Sequence, residues 1–110
     1  MDVDHVAVDF PKLRILVAHG GRPLWMDAAF FIVRRHPNVF LEISGIPPAR
    51  LLDYFPRVEE IAAKTVWGTD WPSPGITSMR QNVEQFLQLP LSGDSKRKIL
   101  YDNAISIFGA

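Results

Sequence analysis

Three short runs rich in aliphatic, β-branched and aromatic residues, each stopped by turn residues, set the tightest limit on how this chain can fold. They are Leu13-Arg14-Ile15-Leu16-Val17-Ala18, ended by His19-Gly20-Gly21; Asn38-Val39-Phe40-Leu41-Glu42-Ile43-Ser44, ended by Gly45 and the pair Pro47-Pro48; and Lys64-Thr65-Val66-Trp67-Gly68-Thr69-Asp70, ended by Trp71-Pro72-Ser73-Pro74-Gly75. Six or seven residues bounded in this way read as strands. Apart from Arg14 the first run is apolar on both faces, the pattern of a parallel strand covered on two sides.

Helical segments fill the gaps. Residues 23–36 place Leu24, Ala28, Phe31 and Arg35 near one stripe and stop at Pro37. Residues 49–54 and 57–63 read as a helix broken at Pro56, with Pro47 or Pro48 suited to its first turn. Residues 78–89 form a helix ending at Pro90. The last helix is capped by Ser92 or Asp94, sets Leu100, Ala104, Ile107 and Phe108 on one face, and closes at Gly109. Residues 3–9 are the tail of a further helix, stopped by Pro11. The order αβαβαβα implies an α/β fold with right-handed parallel crossovers.

Composition narrows the function. The chain has 110 residues, enough for a single domain over 1–110 with a real core. Twelve basic and 12 acidic side chains leave no net charge, which excludes the basic footprint that nucleic acids and anionic membranes require. No run reaches the ~18 apolar residues of a membrane span, and no basic segment followed by an apolar one marks a signal peptide. The absence of cysteine excludes disulfides, thiolate catalysis and cysteine metal sites, and fits a cytoplasmic protein.

A sheet of only three parallel strands has a packing problem. Leu13, Ile15, Val17 and His19 share one face of the first strand by alternation, as do Val66, Gly68 and Asp70 on the third. Helices from crossovers of one hand cover a single face. The other face and both edges need another cover, and self-association is the expected one.

His19 and Asp70 end the first and third strands. In a common parallel sheet both lie at its carboxyl edge, where α/β folds bind ligands. There they suit acid–base work or metal ligation. The structural alternatives are a hydrogen-bonded strand-end histidine and an aspartate serving as a turn or cap residue before Trp71-Pro72. Glu42 either faces the same pocket or pairs with an arginine. Gly20-Gly21 forms a tight turn before a helix start that suits an anion. His36 ends a helix where its charge favours the dipole. His5 is a surface residue, and Trp25, Trp67 and Trp71 are core or pocket wall. Phosphate-loop, dinucleotide, His-x-His, His-Glu-x-x-His and Gly-x-Ser-x-Gly motifs are all missing.

The segments Phe10-Pro11-Lys12-Leu13-Arg14-Ile15-Leu16-Val17-Ala18-His19-Gly20-Gly21, Arg35-His36-Pro37-Asn38-Val39-Phe40-Leu41-Glu42-Ile43-Ser44-Gly45 and Trp67-Gly68-Thr69-Asp70-Trp71-Pro72 resemble the carboxyl-terminal portion of amidohydrolase family 2. So does the closing Arg97-Lys98-Ile99-Leu100-Tyr101-Asp102-Asn103-Ala104 through Phe108-Gly109. These are metal-dependent hydrolases and decarboxylases related to aminocarboxymuconate-semialdehyde decarboxylase. The resemblance implies a (β/α)8 TIM barrel of which this chain supplies the last three βα units, with strands near 13–18, 38–44 and 64–70. It further implies that His19 stands by the metal and polarises substrate or activates water. Asp70 would ligate a divalent metal, most simply Zn²⁺, and take a proton from water whose pKa the ion lowers toward ~7. Arg22 and Trp71 would line a small-molecule pocket as anion contact and wall.

The family's first-strand His-x-His pair and its mid-barrel metal histidine have no counterpart, since only His5 precedes His19. Two readings therefore stand. One is part of a hydrolase or decarboxylase of a small carboxylated or cyclic substrate. The other is a non-catalytic barrel remnant held together as a homo-oligomer.

Overall fold

In the computed structural model, which describes residues 2–73 and 76–109, three parallel strands lie in the order β1 (Ile15–Val17), β2 (Val39–Glu42) and β3 (Thr65–Val66). Ile15 pairs with Val39, Val17 with Leu41, and Leu41 in turn with Thr65. All three fall inside the expected runs and are shorter, because the chain leaves the ladder several residues before the glycines and prolines that end each run. Of the expected stop after the third run, Pro74-Gly75 lie outside the described residues.

Among the described residues six α-helices accompany the sheet: α1 (Val3–Asp9), α2 (Met26–Arg35), α3 (Pro48–Tyr54), α4 (Met79–Leu87), α5 (Gly93–Arg97) and α6 (Asn103–Phe108). Local chemistry explains their ends. Pro48 opens α3, where its missing N–H has no partner to lose. The Ser78 and Ser92 hydroxyls accept from the Gln81 and Ser95 amides and cap α4 and α5. Gly109, at φ +68°, ends α6 in the left-handed conformation that glycine adopts freely. Among the described residues no helix is long and apolar enough to cross a membrane.

Two helical faces differ from the sequence reading. In α2 the buried ridge is Ala29, Ile32 and Val33, not the stripe through Leu24, Ala28, Phe31 and Arg35. Leu24 is 75% exposed and Phe31 61%. Ala29, Ile32 and Val33 join Val39 and Leu41 in one core cluster, so α2 turns this face, and not the expected stripe, to the sheet. In the last helix, a π turn at Lys98–Asp102 joins α5 to α6. Its extra residue rotates the face, so that Ile99, Asn103 and Ile107 are buried while Phe108 is 66% exposed.

The π turn also closes an edge of the sheet. The Asn103 amide reaches back to the Lys98 carbonyl, which leaves the Ile99 carbonyl free to accept from Trp67 N–H at 3.1 Å. The Asn103 side chain donates to the Ala62 and Thr65 carbonyls at 2.6 and 2.7 Å. Outer-edge groups of β3 that would otherwise solicit another strand are thus satisfied. Arg14, just before β1, donates to the Ile107 carbonyl, so α6 crosses the amino-terminal end of the sheet from β3 to β1.

The sheet is unequally covered. Val17, Val39 and Leu41 join Ala29, Ile32, Val33, Leu51 and Phe55 in one core cluster. On the opposite face Leu16 and Phe40 are only half-buried. The incompletely covered face is therefore that of Leu16 and Phe40, while the side of Ile15 and Val17 packs on helices.

At the amino-terminal end α1 is tied down by side chains. The Asn38 amide donates to the Ala7, Phe10 and Leu13 carbonyls at 3.3, 3.2 and 2.9 Å. His36 Nε2 donates to Asp4 Oδ1 at 2.6 Å, so this buried histidine is structural, and His5 is exposed as expected. The hydrogen bond from His36, aided by the nearby Arg35 charge, holds the Asp4 carboxyl below its ordinary value of 3.8. A carboxylate lowered in the folded state contributes stability above its unfolded pKa and loses it as pH falls through the folded one. As pH falls below the ordinary carboxylate value of 3.8, the amides of α1 should lose exchange protection before those of α2. In hydrogen-exchange measurements Asp4→Asn should leave α1 less protected than α2 at neutral pH as well and remove the pH dependence; equal protection of α1 and α2 throughout would contradict the tether.

Candidate active site

Among the described residues only two non-glycine positions have positive φ, and they are His19 (φ 56°) and Asp70 (φ 59°). Holding such residues in the left-handed region costs on the order of 1–3 kcal/mol each, and strain of this kind concentrates at functional sites. The alternation expected to carry His19 onto Val17's face fails for this reason. The chain leaves β1 into a tight turn at Ala18–Gly21, with Gly20 and Gly21 also at positive φ. That turn lifts His19 over the end of the sheet to the carboxylate of Glu42.

The histidine is held from several sides. Its Nδ1 lies 2.8 Å from the Ser44 carbonyl oxygen and 3.3 Å from Ser44 Oγ. A carbonyl only accepts, so Nδ1 carries the proton and Nε2 keeps its lone pair when the ring is neutral. The His19 amide donates to Glu42 Oε2 at 3.3 Å, and the Ser44 amide to Glu42 Oε1 at 2.6 Å. Glu42 pairs with no arginine among the described residues; it bridges the ends of β1 and β2.

Asp70 arrives from β3 through a turn in which the Ser73 amide donates to the Asp70 carbonyl at 2.9 Å. Thr69 Oγ1 accepts from the Trp71 amide at 3.1 Å. The meeting point of the two side chains is Gly45, at φ +74°. A Cβ there would stand 2.9 Å from His19 Nδ1 and 3.4 Å from Asp70 Oδ2. Arg22 Nη1 donates to the Gly45 carbonyl at 2.6 Å, and its guanidinium lies 5.6 Å from the Tyr54 ring centroid. His19, Arg22, Pro23, Gly45, Asp70 and Ser73 line an open cleft of about 310 Å³ at the carboxyl ends of the strands.

Three of the four residues singled out from sequence therefore share one cleft. Trp71 follows Asp70, is 52% exposed and is not among the lining residues. Trp25 is also 52% exposed, so it is not part of the core, and it does not line this cleft. Trp67 is structural, donating from Nε1 to Asn82 Oδ1 at 3.0 Å. Sequence reasoning missed Gly45 and Ser44, which it treated as a strand stop. A glycine between two site-bearing strand ends was the available signal for close side-chain approach.

A catalytic zinc takes three protein ligands and an open position. Among the described residues no three His, Cys, Asp or Glu side chains gather for such an ion. His19 and Asp70 supply two donors, and Glu42 is engaged by two backbone amides. The donor set of this chain does not by itself fit a closed metal centre.

The model of the amidohydrolase family matches residues 1–110; members of that family generally use metal ions. No curated protein matches the sequence. Among solved structures, an uncharacterized TIM-barrel protein from Bordetella bronchiseptica is 27% identical with a TM-score of 0.80, over 97% of this chain and 38% of that one. A candidate 2-pyrone-4,6-dicarboxylic acid hydrolase from Pseudomonas putida is 23% identical with a TM-score of 0.69, over 98% of this chain and 48% of that one, and shares the fold. The chain thus spans less than half the length of either barrel, and its three strands form an open sheet.

Proposed function

The chain belongs to the amidohydrolase family, and from that premise we propose that it is the carboxyl-terminal part of a metal-dependent hydrolase or decarboxylase of a small carboxylated or cyclic substrate. The observation that carries this reading is the convergence of His19 and Asp70 on Gly45 at the carboxyl edge of the sheet. With Nδ1–H held by Ser44, His19 offers Nε2 as a proton acceptor or, once protonated, as a donor to a substrate oxygen. Asp70 adds an exposed carboxylate suited to metal ligation and proton transfer. Arg22 supplies a cation for a substrate carboxylate. Asp70 is the zinc donor that this chain supplies, with His19 beside it; the remaining donors come from outside one copy of residues 1–110, from the rest of a barrel or from a second copy.

The donor count favours one other reading, a non-catalytic oligomeric barrel module. Native mass spectrometry of the purified chain in a volatile buffer with micromolar zinc separates the two. Where a second copy completes the site, the enzyme reading expects a discrete oligomer with stoichiometric zinc that is lost in Asp70→Ala. A metal-free wild-type chain would overturn metal binding by copies of this chain and support the non-catalytic module.

A further inference from the structure

We infer that Glu42 is a positioning residue for the site: its carboxylate fixes the tautomer and aim of His19 through the peptide of Ser44. This rests on the reading of His19 as a reacting group. The geometry is a closed circuit. Glu42 Oε1 accepts from the Ser44 amide at 2.6 Å and Oε2 from the His19 amide at 3.3 Å. The Ser44 carbonyl then accepts from His19 Nδ1 at 2.8 Å. One side chain thus holds the backbone of both partners in the hydrogen bond that orients the ring.

Three features favour this role over a merely structural one. Glu42 ends β2, paired with Val66 across the ladder, so its own backbone is anchored by the sheet and not by a loop. Its half-buried carboxylate forms no ion pair with any arginine or lysine among the described residues, so both oxygens are committed to the two amides. The chain just beyond β3 leaves room for it: a Cβ on Gly68 would lie 3.4 Å from Glu42 Oε1 and 3.1 Å from Ser44 Cβ. A histidine in a left-handed turn has few local restraints of its own. The partner of its second ring nitrogen decides which nitrogen faces the cleft.

Glutamine in place of Glu42 keeps the size but accepts through only one oxygen, and its NH₂ group faces whichever amide is left. The Ser44 peptide loses part of its hold and the ring gains freedom to exchange tautomers. The test is ¹⁵N NMR of the metal-free full chain labelled at histidine, at about pH 8, where ordinary imidazoles are neutral. Only His5, His19 and His36 contribute signals. Wild type should show His19 as the Nδ1–H tautomer. Glu42→Gln should raise the Nε2–H to Nδ1–H ratio by roughly five- to tenfold, the scale of one hydrogen bond, with His36 unchanged. Should Glu42→Gln fail to fold, Gly68→Ala retains the charge while crowding both Glu42 and Ser44, and is expected to shift the ratio in the same direction. An unchanged His19 tautomer ratio in a folded variant overturns the inference. Because neither metal nor substrate is present, that outcome is independent of the zinc measurement, and each proposal can fail alone.

Discussion

Gly45→Ala is expected to disable the candidate site while leaving the sheet in place. At φ +74° any other residue is strained, by about 1–2 kcal/mol. The new Cβ would also sit 2.9 Å from His19 Nδ1, inside van der Waals contact. The ring must move, and its hydrogen bond to the Ser44 carbonyl, worth about 1 kcal/mol net, is lost. Urea unfolding should register a loss of about 2–3 kcal/mol from these two effects, and zinc binding should weaken with it, because the same Cβ stands 3.4 Å from Asp70 Oδ2. Gly93→Ala is the matched control. Its Cβ would meet nothing within 4 Å, at the start of α5, and alanine there should be neutral or stabilising by up to about 1 kcal/mol. If both variants unfold at the same midpoint and Gly45→Ala still holds zinc, the convergence at Gly45 has no functional meaning.

A larger loss of stability is expected one layer below, at Gly20. Its φ is +59°, and a Cβ would lie 2.6 and 2.7 Å from the Cζ and Cε2 atoms of Phe55. Phe55 is 1% exposed and among the largest fully buried side chains, so the ring has no way out to solvent. Overpacking of about 1–3 kcal/mol adds to left-handed strain of about 1–2 kcal/mol. Gly20→Ala should therefore cost about 2–5 kcal/mol, a large fraction of a domain's typical stability. Phe55→Ala should cost about 3–5 kcal/mol for the opposite reason, a cavity. Combining Gly20→Ala with Phe55→Leu removes the colliding ring edge, and the double variant should be less damaged than the two single losses added together. Strict additivity in that cycle would show that the contact between Gly20 and Phe55 is not the cause. Through this pair the core supports the turn that carries His19, so packing and site chemistry are coupled.

The legible part of this molecule is local. Glycine and proline clusters bounded each strand-forming run, although the strands stop short of them, Ser92 was one of two expected caps of the last helix, and Gly109 marked its end. Each reflects short-range physics, a φ that few residues adopt or an amide that needs a nearby acceptor. The spacing of His19 and Asp70 at strand ends was readable for the same reason: parallel strands bring their carboxyl ends to one edge. The family resemblance added the barrel, and the match over residues 1–110 agrees with it.

Three-dimensional contact decided the rest. The stripe that α2 buries, Ala29, Ile32 and Val33, is chosen by the core it packs into, because a helix can rotate about its axis without changing any local preference. The π turn exists where Ile99 and Asn103 reach the outer edge of β3, and only that edge makes the wider turn worthwhile. Likewise Glu42 could be read as a strand residue, yet its two oxygens meet amides 23 residues upstream and 2 residues downstream. Sequence by itself determined the elements, their order and the edge at which His19 and Asp70 emerge, since those depend on neighbours along the chain. The direction in which each side chain points depends on groups far away in sequence, and so on tertiary structure alone.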